Sequence, residues 1–427
     1  MQLLKNTTPF EFSKLFVVKL VCDHDRYAIS DKFSGSEKVF CRYGISTEMG
    51  LVLACMVLTI LTVCFLLGYG LLIFFYFYQW NKLESYQPKD SSPTTFVSVI
   101  IAARNEEATL PQLIEDLKAQ TYLSHLFEVI VVNDHSTDNT AAIVNDFGAD
   151  WQMILPNAEG NHSSKKNAIA SGIERAKGEL LLITDADCHV TKEWIKTMAS
   201  FYEEKGAAFI AAPVKFTHDN SLLQVFQVLD FITLQGITAA GVSSNTHTMC
   251  NGANLAYTKT AFAEVDGFAG IDKVATGDDM LLMHKIWKKQ PEKVFYLKSK
   301  EVIVRTEPMK TWKDFLMQRK RWASKTLVYD DWRIIAVLGF VLLFNLLFFV
   351  LLGTAFFRIT YWVHFFVFLF GKTILEWPFV STVAEFYDEK KLMRYFFFVQ
   401  PLHIFYTVFV GIISQFGSYE WKGRRTR

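Results

Sequence analysis

Leu180-Leu181-Leu182-Ile183-Thr184-Asp185-Ala186-Asp187-Cys188 is the stretch that decides the fold, an apolar run ending in two aspartates one residue apart. The run predicts a buried strand, and both carboxylates fall where that strand reaches the surface. Unpaired buried carboxylates are costly, so the pair calls for a counter-charge. Mg²⁺ or Mn²⁺, which prefer oxygen ligands and keep phosphates in their shells, would be held by Asp185 and Asp187 and would bridge a diphosphate. The structural alternative is a strand-end turn whose acids cap a helix.

Short apolar runs alternate with helix-length polar stretches between residues 90 and 305. The predicted strands are 96–102, 127–132, 180–184 and 209–212, and helical segments such as 107–120 and 164–177 lie between them. This alternation predicts an α/β, Rossmann-like domain over residues 90–330, with a mostly parallel sheet covered by helices on both faces. In such sheets ligands bind at the carboxyl ends of the strands, where the polar motifs of this chain fall.

Charge and cysteine usage exclude several classes of protein. The formal net charge is +1, so the chain lacks the large positive charge that would attract nucleic acid. The six cysteines form neither a CxxC pair nor a Cys/His set at zinc spacing, which favours a reduced, cytoplasmic catalytic domain. Residues 1–48 are not expected to form a signal peptide, because charged residues interrupt every short apolar stretch and Lys19 breaks Phe16-Val17-Val18 before an h-region forms. We interpret them as a poorly ordered leader, or as an over-long start with Met49 as the true initiator.

Long uncharged runs predict an integral, multi-pass membrane protein. Residues 49–81 carry no charge and exceed the roughly twenty residues that cross a bilayer as a helix. Tyr76, Tyr78 and Trp80 crowd the end of this run, as an interfacial aromatic belt does. Residues 332–416 contain two or three further helices, over 334–357, 359–380 and 395–416.

The side of the C-terminal tail depends on the middle of these segments. Residues 359–380 carry Lys372 and Glu376, and a segment that did not cross would keep the basic tail, 417–427, on the cytoplasmic side. Because positive charge favours that side, we expect 359–380 not to cross.

Two polar loops follow the first two predicted strands. The first, after 96–102, begins with Ala103, Asn105 and Glu106, and the second contains Asp134. Each alone is compatible with an ordinary strand–loop–helix joint whose acids and hydroxyls cap the helix. As ends of adjacent parallel strands they form a crevice in which a nucleotide base and ribose would bind.

Two further motifs contain charged residues. In the Lys165-Lys166 pair we select Lys166 as the contact to the nucleotide or its diphosphate, with a solvated helix face as the alternative. Asp278 and Asp279 begin a helical pattern, and in the structural interpretation their negative charges interact favourably with the N-terminal end of the helix dipole. In the functional interpretation Asp279 is the general base for an acceptor hydroxyl, and Asp278 orients it or helps to cap the helix.

Residues 318–322, Gln-Arg-Lys-Arg-Trp, lie about ten residues before the apolar run. Gln318, Arg321 and Trp322 share one helix face, and that face can grip a diphosphate and stack on a sugar ring. Arg319 and Lys320 are expected to point elsewhere, toward anionic lipid headgroups. The bland alternative is a basic juxtamembrane helix with an interfacial tryptophan.

Six motifs in fixed order resemble those of the membrane-bound family-2 inverting glycosyltransferases, which include cellulose, chitin and hyaluronan synthases and ceramide glucosyltransferases. The motifs are VSVIIAARNEE (97–107), VVNDHSTDNT (131–140), ITDADC (183–188), NGANLAY (251–257), TGDDMLL (276–282) and QRKRW (318–322). The resemblance implies a GT-A (nucleotide-diphosphosugar transferase) fold, a UDP-sugar donor, and a lipid or glycan acceptor. It further implies a metal at Asp185 and Asp187, a base at Asp279, and a uracil contact from Asp134.

Two features of the sequence differ from the pattern of this family, and two other classes of protein are alternatives. Asn133-Asp134-His135 stands where many relatives carry paired acids, and the membrane part is short for a polymer-conducting channel. The Q-x-x-R-W motif nevertheless favours a processive polysaccharide synthase, so one addition to a lipid and repeated addition both stay open. A transporter with a nucleotide-binding domain would need several polar residues inside its spans, where only Lys372 and Glu376 qualify. Retention of every proposed catalytic acid argues against a non-catalytic scaffold.

Overall fold

The computed structural model describes residues 37–88, 92–146, 151–154, 164–272, 277–324, 331–415, 419–421 and 424–426. The predicted leader therefore lies mostly outside the described residues, as does part of the basic tail. Helix α1 (Glu37–Lys82) includes the first predicted membrane segment. It is long because uncharged, apolar residues continue to its last turn.

A seven-stranded sheet forms the centre of the α/β domain. The strands of the chain are β1 (Val97–Ala103), β2 (Phe127–Asn133), β3 (Trp151–Ile154), β4 (Leu180–Asp185), β5 (Cys188–His189), β6 (Phe209–Ala211), β7 (Val214–Phe216), β8 (Leu255–Thr258), β9 (Val294–Tyr296), β10 (Val304–Thr306), β11 (Tyr419–Trp421) and β12 (Arg424–Thr426). The large sheet has the order β3-β2-β1-β4-β8-β6-β9, and a small sheet has the order β5-β10-β7. Only β8 runs antiparallel to its neighbours in the large sheet, which confirms the mostly parallel arrangement.

Helices lie between these strands along the chain. They are α2 (Leu110–Lys118), α3 (Thr140–Asp146), α4 (Ser164–Arg175), α5 (Trp194–Lys205), α6 (Leu222–Ser243), α7 (Lys259–Glu264), α8 (Met280–Lys289) and α9 (Trp312–Ala323). Helix α4 approaches β1 closely, because a Cβ added at Gly172 would lie 2.6 Å from Ile100 Cγ2. Strands β1 and β4 have almost every side chain buried, as the uninterrupted apolar runs predict.

Three C-terminal helices follow, α10 (Trp332–Ala355), α11 (Tyr361–Phe386) and α12 (Met393–Ile413). Five helices in the described part of the chain are long and apolar enough to cross a membrane, namely α1 over Val52–Lys82, α6, α10, α11 and α12. The sequence interpretation did not identify α6, whose apolar residues are mostly buried against the rest of the protein.

The middle C-terminal segment, predicted at 359–380, corresponds to helix α11. Helix α11 is continuous through Pro378, and its last turn packs Phe386 against Trp80 at the end of α1. Just beyond it, Lys215 of β7 donates to the Tyr387 carbonyl at 3.0 Å and to Glu389 at 3.2 Å. The α11 end therefore reaches the α/β domain. The expectation that 359–380 does not cross stays a prediction, and its two charges are paired inside the helix bundle.

That pairing joins three helices. Lys372 donates to Glu376 Oε1 and to Gln400 Oε1, both at 2.7 Å. Gln400 in turn donates to Glu376 Oε2 at 2.6 Å, and the Tyr69 hydroxyl of α1 donates to the same carboxylate. Because all four side chains are buried, each charge has its partner where water is excluded.

Candidate functional site

Three strands end side by side at one edge of the sheet. In the parallel register Ala103 of β1 lies opposite Asn133 of β2, and Ala102 lies opposite Asp185 of β4. The loops after these strands carry Asn105, Asp134 and Asp187. The adjacency expected for the first two motifs is therefore present, and the aspartate motif joins it on the other side of β1.

The loops after β1 and β2 bind each other. Asn105 has a positive φ of 54°, its amide N–H donates to Ser136 Oγ at 3.0 Å, and its Oδ1 accepts from the Thr137 amide at 2.8 Å. The Glu106 amide donates to Thr140 Oγ1 at 2.9 Å, which lies at the start of α3. Asn105 and Glu106 thus organise the crevice wall, as the structural interpretation of these loops allowed.

Asp134 lies at the base of the crevice. Its side chain is almost wholly buried, its amide donates to the Ala103 carbonyl at 2.8 Å, and Arg104 Nη1 lies 3.8 Å from its Oδ2. The Ala103 side chain is fully buried in the core, so only backbone atoms at that position can face a ligand. Asp134 is accordingly the acid that borders both loops.

Lys165 bridges two of the predicted carboxylates. Its Nζ lies 2.6 Å from Asp185 Oδ1 and 3.4 Å from Asp278 Oδ2. Asp185 is half-buried, whereas Asp187 is exposed beyond it. Cys188 Sγ contacts Asp187 Oδ1 at 3.8 Å, and burial raises the pKa of the Cys188 thiol, so it stays protonated at neutral pH. The structure therefore brings together the two acidic motifs that are about ninety residues apart in the sequence.

Asp279 lies on the same side as this group. Its Oδ1 accepts from the Met280 amide at 2.7 Å at the start of α8, and its Oδ2 accepts from the Gly252 amide at 3.1 Å. A Cβ added at Gly252 would lie 3.4 Å from Lys165 Nζ and 3.6 Å from both Asp278 Oδ2 and Asp279 Cβ. Glycine thus allows the backbone to approach the acids closely, and two N–H groups orient the Asp279 carboxylate.

The choice of Lys166 as the ligand contact requires correction. Lys166 is 1% exposed and donates to the Ile271 carbonyl at 2.6 Å, whereas its neighbour reaches the carboxylates. Successive residues of a helix point about 100° apart, so only one of the pair can face the strand ends. The sequence shows the doublet and not which member turns inward; Lys165 is the residue that sequence reasoning missed.

The NGANLAY motif is mainly a support. Asn254 is fully buried, and its amide nitrogen donates to the Pro213 carbonyl at 2.8 Å and the Val302 carbonyl at 2.7 Å. Its Oδ1 accepts from Trp194 Nε1 at 2.9 Å. These contacts hold the start of β8 beside β7, β10 and α5, and so hold Gly252 in place.

In α9 the placement of Arg319 was wrong. Arg319 is 2% exposed, its Nη2 lies 2.8 Å from Asp230 Oδ2 of α6, and its guanidinium lies 4.3 Å from the Trp322 ring centroid. A buried ion pair, rather than lipid headgroups, is its partner. Gln318, Arg321 and Trp322 are partly buried, and the Trp322 ring also lies 6.0 Å from that of Phe231. Trp322 thus packs on α6.

The acids suit a divalent cation. Asp185 and Asp187 present hard oxygen atoms at one strand end, and Mg²⁺ or Mn²⁺ is often held by one or two carboxylates plus substrate phosphates. Among the described residues no group of three or more His, Cys, Asp or Glu side chains could hold a metal by itself. Two carboxylates at one strand end match the ligand set of a cation that also binds substrate phosphates.

Comparisons with known proteins bear on the family and the fold of the domain. The family model described as "Glycosyl transferase family 2" matches residues 98–265. The chain is 26% identical over 243 residues to "Probable glycosyltransferase YdaM" of Bacillus subtilis, covering 53% of this chain and 54% of that protein. It is 36% identical over 101 residues to "Dolichyl-phosphate beta-glucosyltransferase ALG5D" of Trichomonas vaginalis, covering 22% and 31%. The chain thus matches about half or less of the length of these curated relatives.

A solved structure shares the fold. "Mannosyltransferase PcManGT from Pyrobaculum calidifontis in complex with GDP-Man and Mn2+" superposes with a TM-score of 0.53 at 15% identity, over 84% of this chain and 98% of that one. The strand order, the aspartates at the end of β4 and the family match lead to one assignment. The chain carries a glycosyl transferase family 2 domain with a GT-A fold, flanked by apolar helices of membrane-spanning length.

Proposed function

We propose that the protein is a membrane-bound, metal-dependent, inverting glycosyltransferase that moves a sugar from a UDP-sugar to a lipid acceptor. One observation supports this above the others. The two acidic motifs meet at Lys165, which lies 2.6 Å from Asp185 and 3.4 Å from Asp278, at the carboxyl edge of the sheet. An acidic site that already contains one cation suits a ligand with a diphosphate and a divalent metal.

The donor would lie across the three strand ends. Asp134 would contact the uracil at the base of the crevice, with the backbone around Ala103, Asn105 and Glu106 forming its wall. Asp185 and Asp187 would hold Mg²⁺ or Mn²⁺, which when bound neutralises charge on the departing diphosphate. The GDP-Man and Mn²⁺ named in the PcManGT structure support a nucleotide-sugar and a divalent metal in this fold.

Asp279 would act as the base. Its carboxylate is oriented by the Gly252 and Met280 amides at 3.1 and 2.7 Å, and an ionised carboxylate can accept a proton. The acceptor oxygen would attack the anomeric carbon from the face opposite the diphosphate, pass its proton to Asp279, and invert the configuration. The UDP leaves with the electron pair of the broken bond.

The acceptor would approach from the membrane side. The helix that carries Gln318, Arg321 and Trp322 packs against α6 through Trp322, and α6 contacts α11 through Gly236 and Phe379. This continuity between the α/β domain and the apolar helices supports a lipid acceptor, as does the dolichyl phosphate in the name of one relative. Arg321 would grip the phosphates and Trp322 would stack on the sugar.

Metal-dependent UDP release from UDP-sugars in isolated membranes tests the proposal, followed by extraction of the product. Asp279→Asn keeps a side chain that caps helices as well as Asp does, so the fold should persist. We expect turnover to fall about 10²–10⁴-fold with donor affinity retained. Asp187→Ala should lower both turnover and donor affinity. Near-normal turnover of Asp279→Asn would exclude it as the base.

A matched control separates catalysis from helix capping. Asp331 caps α10 by accepting from the Arg333 amide at 3.0 Å, so Asp331→Asn makes the same change at another helix start. We expect that variant to keep most of its activity. Label in the lipid extract would indicate a glycolipid. Insoluble label of high mass would indicate that the acceptor is a growing polysaccharide and not a lipid.

A further inference from the structure

Lys165 occupies a tightly enclosed position in the acidic group. Its side chain is 22% exposed, the Asp278 side chain is 12% exposed, and the Gly252 backbone borders both. The Lys165 ammonium therefore lies between two carboxylates at once, 2.6 Å from Asp185 and 3.4 Å from Asp278.

The same carboxylate is assigned to the lysine and to a metal. Asp185 contacts Lys165 Nζ at 2.6 Å and, in the proposed function, ligates Mg²⁺ or Mn²⁺ together with Asp187. A dication bound to either Asp185 oxygen would lie within a few ångströms of the ammonium. Like charges at such a distance repel one another even at the effective dielectric constant of about 20 that applies near a protein surface.

We propose that Lys165 competes with the divalent cation for Asp185, so that the protein binds the cation weakly until a diphosphate offers the ammonium another anionic partner. The inference rests on the proposed metal site. A lysine suits this role because its charge is compact and its four-carbon stem is flexible, so the ammonium can move while α4 stays fixed. Cation binding is then coupled to nucleotide binding, which keeps the metal from occupying the acids alone.

A purely supporting role makes a different prediction. If Lys165 served only to hold Asp185 and Asp278 together, its removal would leave the two carboxylates repelling one another and the site less ordered. Mn²⁺ affinity would then stay the same or fall. Under competition it rises, because the dication no longer has to displace a charge.

The experiment measures binding of Mn²⁺ alone to the full-length protein in lipid nanodiscs, from the electron paramagnetic resonance signal of free Mn²⁺. Lys165→Met removes the charge and keeps the length, and Lys165→Arg keeps the charge. Lys177→Met is the matched control, because Lys177 follows the opposite end of α4 and is 71% exposed. We expect Lys165→Met to bind Mn²⁺ at least about tenfold more tightly than the wild type, which is about 1.4 kcal/mol. Lys165→Arg and Lys177→Met should match the wild type.

Asp187→Ala separates failure of the inference from failure of the metal site. If Asp187→Ala loses Mn²⁺ binding but Lys165→Met binds no more tightly than Lys177→Met, the competition is refuted and the metal site stands. If Asp187→Ala binds Mn²⁺ as the wild type does, the metal assignment fails and the inference with it. Thermal unfolding in the same nanodiscs verifies folding, and Lys165→Gln replaces Lys165→Met if the latter does not fold.

Discussion

Replacing Asn254 by alanine tests how the structure holds the candidate site. The substitution removes the partner of the Val302 carbonyl and of the Trp194 indole N–H in a fully buried place. The Pro213 carbonyl loses the Asn254 bond but keeps one from the Val304 amide at 3.1 Å. Each buried group that loses its partner costs about 1–3 kcal/mol, so two cost roughly 2–6 kcal/mol. Water that enters the space left by the amide relieves part of this cost, and we expect the lower half, about 2–4 kcal/mol.

The assay is thermal unfolding of the full-length protein in detergent. For a domain of this size 1 kcal/mol corresponds to about 2–4 °C, so the midpoint of the α/β domain should fall by about 4–16 °C. Asn251→Ala is the control, because Asn251 Oδ1 accepts only a local bond from the Ala253 amide at 3.0 Å. It should cost about 1 kcal/mol at most.

Trp194→Phe, combined with Asn254→Ala in a double-mutant cycle, should show a coupling of about 0.5–3 kcal/mol. If the thermal midpoint of Asn254→Ala falls by less than 2 °C, the substitution costs less than about 1 kcal/mol. That result would refute the predicted cost of the lost hydrogen-bond partners.

Two other perturbations address the helix bundle and acid stability. Lys372→Met leaves the Glu376 carboxylate buried without its cation and should cost about 3–5 kcal/mol, whereas Lys372→Met combined with Glu376→Gln should cost clearly less. Thermal midpoints in detergent measure both, and equal losses would contradict a paired charge. The Glu203 carboxylate accepts hydrogen bonds from the Thr94 amide and from the Thr95 amide and hydroxyl. Burial acts to raise the pKa of Glu203, but these bonds outweigh it and lower the pKa below 4.5. Its stabilisation is therefore complete above about pH 4.5 and is lost as the pH falls further, so Glu203→Gln should flatten the fall in thermal midpoint between about pH 5 and 3.

The strand and helix pattern followed from local periodicity. The apolar run before Asp185 forms β4 over Leu180–Asp185, and the predicted strand at 209–212 forms β6 over Phe209–Ala211. Both predictions needed only neighbouring residues, because a run of apolar side chains can be buried only where a sheet is covered on both faces. The reversed direction of β8 was not predictable in this way, since strand direction depends on the path of the chain.

Helix α6 shows the opposite case. Its 22 residues have enough apolar character for a membrane span, but most of them are buried against other parts of the protein. Gly236 brings α6 so close to α11 that a Cβ there would lie 2.6 Å from Val383 Cγ2. Composition cannot distinguish lipid from protein as the apolar neighbour, because both are favourable surroundings for the same side chains.

By itself, the sequence determined the α/β domain, the apolar helices on either side, and the acids at the strand ends, because each is a pattern within about twenty residues. Only the tertiary structure decided which charged groups meet. Lys165 rather than Lys166 reaches Asp185 and Asp278, and Arg319 pairs with Asp230 inside the protein instead of facing lipid. A side chain's partner is set by packing between segments that are distant along the chain, and no local pattern specifies it.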